Sequence, residues 1–173
     1  MNHDTYSDAY IRDILVRHRA VAMVGASPKP SRPSYFVMKY LLARGFDVAP
    51  VNPGHAGKEL LGQKIFGTLA EIDRPVEIVD IFRNSDAALS ITQDAIAIGA
   101  KVVWMQLGVH NDEAARLGEK AGLKVVMNRC PKIEFGRLSG EIGWAGVNSR
   151  VLSSKRPLLS DKGVQKRRLR PGS

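Results

Sequence analysis

Apolar residues along this chain fall into two patterns that take turns. The first is a short continuous block, seen in AVAMVGAS at 20–27, FDVAPVN at 46–52, VEIVDIF at 76–82, KVVWMQLG at 101–108 and LKVVMN at 123–128. Blocks of this length without polar alternation predict strands buried on both faces, as in a parallel sheet covered by helices. The second pattern has helical spacing. Tyr10, Ile11, Ile14 and Leu15 mark a helix over 7–18 with Ser7 as its cap, and SYFVMKYLLAR at 34–44 predicts another that ends at Gly45. Further helices are expected over 85–98, with Ser85 as cap and Gly99 at the end, and over 111–121. KIFG at 64–67 adds a short strand, and the last expected element is the strand at 123–128.

Strands alternating with helices at this spacing imply right-handed crossovers. The fold class that follows is α/β: a Rossmann-like doubly wound, mainly parallel sheet with helices on both faces. No internal repeat interrupts the alternation. At 173 residues and 44% apolar composition the chain suits one domain with a substantial core, assigned to residues 1–150.

Charge separates the remaining segment from that domain. Residues 151–173 carry Lys155, Arg156, Lys162, Lys166, Arg167, Arg168 and Arg170 against Asp161, so +6 of the chain's formal +9 sits in this stretch. Poor in large apolar residues, it is expected to be a disordered tail. Nucleic acid could be contacted only through that tail, which lacks the aromatics and motifs of a nucleic-acid module. Residues 1–20 are too polar for a signal peptide or a spanning helix, and Cys130 is the single cysteine, so a cytoplasmic protein is expected.

In a doubly wound sheet, ligands bind beyond the carboxyl ends of the strands. The loop after the first strand, GASPKPSRPS at 25–34, offers backbone amides, a helix N-terminus, the hydroxyls of Ser27, Ser31 and Ser34, and the charges of Lys29 and Arg32. That set suits a diphosphate. A conventional dinucleotide fingerprint would place three glycines here and an acid at the end of the second strand. Only Gly25 is present, and Asn52 stands where the acid belongs, which argues against NAD and leaves room for a phosphorylated ribose near Lys58. NADP remains open on these residues. Gln106 and Gly108 end an otherwise apolar strand and serve either a ligand or a neighbouring loop, while Arg83 follows another strand and could approach phosphate. Asp80, enclosed by apolar neighbours, reads as a satisfied structural acid. Cys130 is either a small buried side chain or a thiol activated by Arg129. The four histidines lack metal-ligand spacing, and no G-x-S-x-G elbow or carboxylate pair is present, so neither a metal site nor a catalytic residue is expected.

The stretches VAMVGAS at 21–27 with the following RPS, VAPVNP at 48–53, VDIFR at 79–83, VVWMQLGV at 102–109 and MNRCPKIE at 127–134 together resemble the small CoA-binding domain family. Its members are stand-alone relatives of the N-terminal domain of the succinyl-CoA synthetase alpha subunit. The resemblance implies that Gly25, Ala26 and Ser27 receive phosphate with help from Arg32 and Ser34. It places Asn52 and Pro53 beside the adenosine and Lys58 near its 3′-phosphate. Ile81, Phe82, Arg83, Gln106 and Gly108 would form the opposite wall, with Cys130 on the pantetheine side. The phosphohistidine-bearing second domain of the ligase has no counterpart here. The resemblance therefore implies non-catalytic binding of coenzyme A or an acyl-CoA rather than ligase activity. An NADP- or NAD-linked oxidoreductase or redox sensor is the competing reading.

Overall fold

The computed structural model describes residues 1–140; the assigned domain end at 150 and the basic tail at 151–173 lie outside the described residues. Helix α1 (Asp8–Arg17) opens the fold, with Ser7 Oγ accepting from the Tyr10 amide at 3.2 Å as its cap. Next come β1 (Ala20–Val24), α2 (Pro33–Ala43), β2 (Asp47–Val51) and two very short strands, β3 (Glu59–Leu60) and β4 (Gln63–Lys64). The second half runs β5 (Ile78–Ile81), α3 (Ala88–Ala97), β6 (Val102–Met105), α4 (Asp112–Lys120), β7 (Lys124–Val126) and α5 (Pro131–Ser139). Five strands form a wholly parallel sheet in the order β2-β1-β5-β6-β7. Winding therefore reverses between β1 and β5, and that is the topological switch point of the sheet.

Side-chain alternation along the strands divides the core. Val21, Met23, Ile78, Val102 and Trp104 join the face covered by α1, α2 and α5, whereas Ala22, Val79, Ile81, Val103 and Met105 join the face covered by α3 and α4. Each strand is thus buried on both sides, and this is the physical origin of its uninterrupted apolar sequence.

Both sheet edges are closed by side chains or by a turn. On the β2 edge, the Phe66 amide donates to Pro50 O at 2.9 Å, and the Asn52 amide donates to Phe66 O at 2.8 Å. Pro50 is tolerated because its missing N–H would point to this outer side and not into the β1 ladder. That missing donor also stops the pairing. The strand expected at 64–67 is instead divided between β4, which pairs with β3, and a single bridge from Phe66 to Val51. On the β7 edge, Tyr6 Oη accepts from the Met127 amide at 2.7 Å. Tyr10 Oη accepts from the Val125 amide at 3.1 Å and donates to Val125 O at 3.2 Å. Burial pushes the Tyr10 hydroxyl up to about 12, so it stays protonated and able to donate. Tyr10→Phe should cost about 1–2 kcal/mol by leaving the Val125 groups unpaired. Chemical denaturation would measure it, and a variant as stable as the parent would show that solvent satisfies this edge equally well.

Two helix expectations change. Ser85 does not cap α3: it opens a 3-10 turn, Ser85–Ala87, and its Oγ accepts from the His110 amide at 3.0 Å while its carbonyl accepts from Asn111 Nδ2 at 2.9 Å. The hydroxyl is recruited across the sheet end to fix the loop before α4. Helix α5, absent from the pattern, is nine residues long with Gly136 inside it, and it stands because the fully buried Phe135 anchors it to the core.

Candidate functional site

The loop that follows β1 is built by its own short hydrogen bonds. Gly25 turns the chain with φ +89°, and its amide and that of Ala26 donate to Val51 O at 2.9 and 3.3 Å. The Ser27 amide donates to Ser34 Oγ at 3.0 Å, the Lys29 amide to Ser27 Oγ at 3.3 Å, and the Arg32 amide to Lys29 O at 3.0 Å. Helix α2 then starts with Pro33, whose fixed φ suits the first turn and whose absent N–H is not needed there. Its cap residue, Arg32, supplies no side-chain acceptor, and its first turn contains no acid. Neither the cap nor the first turn compensates the positive end of the helix dipole.

This loop borders a cavity of about 610 Å³ at the carboxyl ends of the strands. Of the residues expected from sequence, Gly25, Ser27, Arg32, Ser34, Phe82, Arg83, Gln106 and Cys130 line it. Pro33, Val37, Leu107 and Val109 complete the lining; Pro33 lies in the expected loop and Leu107 at an expected strand end, but none of the four was given a ligand role. Leu107 and Val109 flank expected positions, and Val37 lies one helical turn after Ser34, so adjacency was the available signal. The remaining expected residues lie outside the lining. Ala26 and Ile81 are fully buried, and Lys58 is exposed in the turn before β3. Pro53 starts a 3-10 turn, while Gly108 donates its amide to Asn128 Oδ1 at 2.9 Å.

Asn52 works through the backbone. Its Nδ2 donates to Ala26 O at 2.7 Å and its Oδ1 accepts from the Gly54 amide at 3.0 Å, so it clamps the β1 loop to the turn after β2. An aspartate there would present an acceptor to the Ala26 carbonyl and lose the clamp. On the far side, Trp104 Nε1 donates to Arg129 O at 2.8 Å and holds the segment leading to Cys130. Arg129 turns its guanidinium to the carbonyls of Asn128 and Asp4 and towards Glu134, away from the role of thiol activator. Burial dominates at Cys130 and pushes its thiol up, with the first-turn amides of α5 pulling the other way.

Beneath the cavity, Asp80 is 1% exposed and accepts two hydrogen bonds from Gln106 Nε2, at 2.9 and 3.1 Å. Desolvation by burial lifts its carboxyl to about 8, opposed by the bond from Gln106. Between the ordinary carboxylate range and that value, the folded state holds a proton that the unfolded chain has lost, so stability falls as pH rises through the window. Asp80→Asn removes this linkage. The variant is expected to gain on the parent progressively from about pH 4 to about pH 8. Thermal melts of both proteins across that range test this, and parallel curves would show that Asp80 does not titrate there.

The cavity opens at the switch point of a Rossmann-like sheet, with cationic and hydroxyl groups around a helix start. The chain belongs to the CoA binding domain family, whose model matches residues 19–136. The Bacillus subtilis protein YneT is 37% identical over 127 residues, which is 73% of this chain and 93% of YneT. A Pyrococcus horikoshii protein of solved structure is 43% identical with TM-score 0.75, covering 80% of this chain and 96% of its own. A dinucleotide-forming acetyl-coenzyme A synthetase 1 from Ca. Korarchaeum cryptofilum, solved with phosphate and ADP, is 26% identical with TM-score 0.58. That match covers 65% of this chain and 26% of the synthetase. Among the described residues no helix is long and apolar enough to cross a membrane, and no group of three His, Cys, Asp or Glu side chains is placed to hold a metal ion.

Proposed function

We propose that this domain binds coenzyme A or an acyl-CoA, with the diphosphate against the turn after β1 and the pantetheine arm running towards β6 and β7. The observation that carries this reading is the change in chemistry across the cavity. The loops after β1 and β5 and the start of α2 contribute the cations Arg32 and Arg83 with Ser27, Ser34 and Phe82, whereas the ends of β6 and β7 contribute only uncharged groups, Gln106, Leu107, Val109 and Cys130. An anionic head on a long, uncharged arm matches that order. Asn52 supports the same choice, since both ends of its amide are occupied by backbone and no acid stands ready for free ribose hydroxyls. Family membership favours it over NADP. Lys58, outside the cavity, is not part of the proposal.

Titration calorimetry against CoA, dephospho-CoA, NAD and NADP tests the reading. CoA is expected to bind most tightly, and Arg32→Ala with Arg83→Ala should weaken it roughly tenfold or more, as loss of charge-assisted phosphate contacts does. Indifference to all four ligands would sink the proposal. A clear preference for NADP would transfer it to the oxidoreductase reading.

A further inference from the structure

An acid buried beneath the cavity needs a reason, because an aliphatic residue at position 80 would pack against Met23 and Trp104, its apolar neighbours across the sheet, without desolvation cost. The only hydrogen bonds to its carboxyl group among the described residues come from Gln106 Nε2. Gln106 is itself 5% exposed yet lines the cavity, and its Oε1 has no hydrogen-bond partner among the described residues. A glutamine amide has a donor end and an acceptor end, so a partner holding one end decides what the other offers.

We infer that Asp80 is a positioning residue for Gln106, and that the end of the amide left facing the cavity determines whether the site favours a thioester over a thioether or free thiol. The inference rests on the coenzyme A reading, which brings the sulfur end of the ligand to the β6 side. Ionised Asp80 can only accept. Nε2 then turns to it, as observed, which leaves the acceptor Oε1 as the free end of the amide, offering nothing to a thioester carbonyl. Protonated Asp80 carries a hydroxyl that needs an acceptor. Gln106 Oε1 can accept it, which turns Nε2 to the cavity as a donor for that carbonyl. No atoms are transferred to the ligand in either state.

The burial of Asp80 places the exchange between these states at mildly alkaline pH. The other titratable groups facing this region are the Cys130 thiol at the start of α5, which senses the Asp80 charge, and the guanidinium groups of Arg32 and Arg83 on the cavity wall. The helices packed on this side add the buried Ser34 of α2 and Glu134 of α5, the latter paired with Arg137, and the Arg19 guanidinium lies over the rings of Phe46 and Phe135.

Acetyl-CoA and S-ethyl-CoA share everything but the carbonyl, and neither has a free thiol to titrate. Their dissociation constants should be measured at about pH 6.5 and about pH 9, on either side of the Asp80 transition. With the wild-type chain, acetyl-CoA is expected to bind roughly three- to tenfold more tightly at the lower pH, the worth of one hydrogen bond, and to lose that advantage at the higher pH. Asp80→Asn should give the same ratio at both pH values, and Gln106→Met a ratio near one at both. A wild-type ratio independent of pH overturns the inference without any variant having to fold. So does an unchanged profile in Asp80→Asn, which would assign the titration to another group. If neither ligand binds, the coenzyme A reading fails and takes the inference with it; two bound ligands at a fixed ratio sink the inference alone.

Discussion

Gly25→Ala should both destabilise the domain and abolish ligand binding, because it asks one position to bear two penalties at once. With φ at +89°, an L side chain is strained before it meets any neighbour, at about 1–2 kcal/mol. A Cβ at this position would then lie 2.5 Å from Phe82 O and 3.0 Å from Phe82 C, both backbone atoms of the loop after β5. Backbone there cannot yield cheaply, since the Phe82 amide is tied to Val24 O at 2.8 Å. Overpacking adds a further 1–3 kcal/mol or so, giving a total of about 2–5 kcal/mol. Relief could come only from parting the β1 and β5 loops, which hold Ser27 and Arg83 on the same cavity. Gly122→Ala is the matched control. Its φ is +84°, but a Cβ there meets nothing within 4 Å, so it should show the conformational cost alone and bind ligand normally. Thermal melts and calorimetry of both variants decide the matter. Equal destabilisation of the two, or intact binding in Gly25→Ala, would mean that the close approach of these loops is dispensable.

Phe135→Ala is the second large effect, expected at about 3–5 kcal/mol. The ring is fully buried and meets Tyr40 and Phe46 edge-on, with centroids 6.1 and 5.7 Å away, while the Arg19 guanidinium lies 5.8 Å from its centre. Removing it opens a cavity between α5, α2 and β2 and frees the helix that begins at Cys130. Urea denaturation should show a lower midpoint at an unchanged slope. A midpoint within experimental error of the parent would make α5 an appendage of the domain and not a part of its core.

That helix marks where local sequence stops being informative. PKIEFGRLS offers one large apolar residue pointing inward and a glycine in its middle, too little periodicity to announce a helix. Its stability comes from aromatic contacts with Tyr40 and Phe46, 95 and 89 positions before Phe135, and from the pairing of Arg137 with Asp8, none of which a window of neighbours contains. The loop at 25–34 was legible for the opposite reason: a glycine turn, hydroxyls, cations and a proline at a helix start are properties of contiguous residues.

The strand ends were found in the same way, but which of them meet was not. Gln106 and Asp80 were each identified as polar residues in apolar blocks, yet their pairing exists only because β5 and β6 are neighbours in register, with Ile81 opposite Met105. Asn52 was singled out as standing where an acid is usual, while its use as a clamp depends on β2 lying beside β1. The chain by itself determined the alternation of buried strands and helices, and with it the sheet and the side of the sheet where loops gather. Tertiary structure alone decided which loop residues share one cavity, which buried carboxyl holds the Gln106 amide, and where the last helix stands. Periodicity is a local property of the chain, whereas convergence depends on strand order and on hydrogen bonds between residues far apart in sequence.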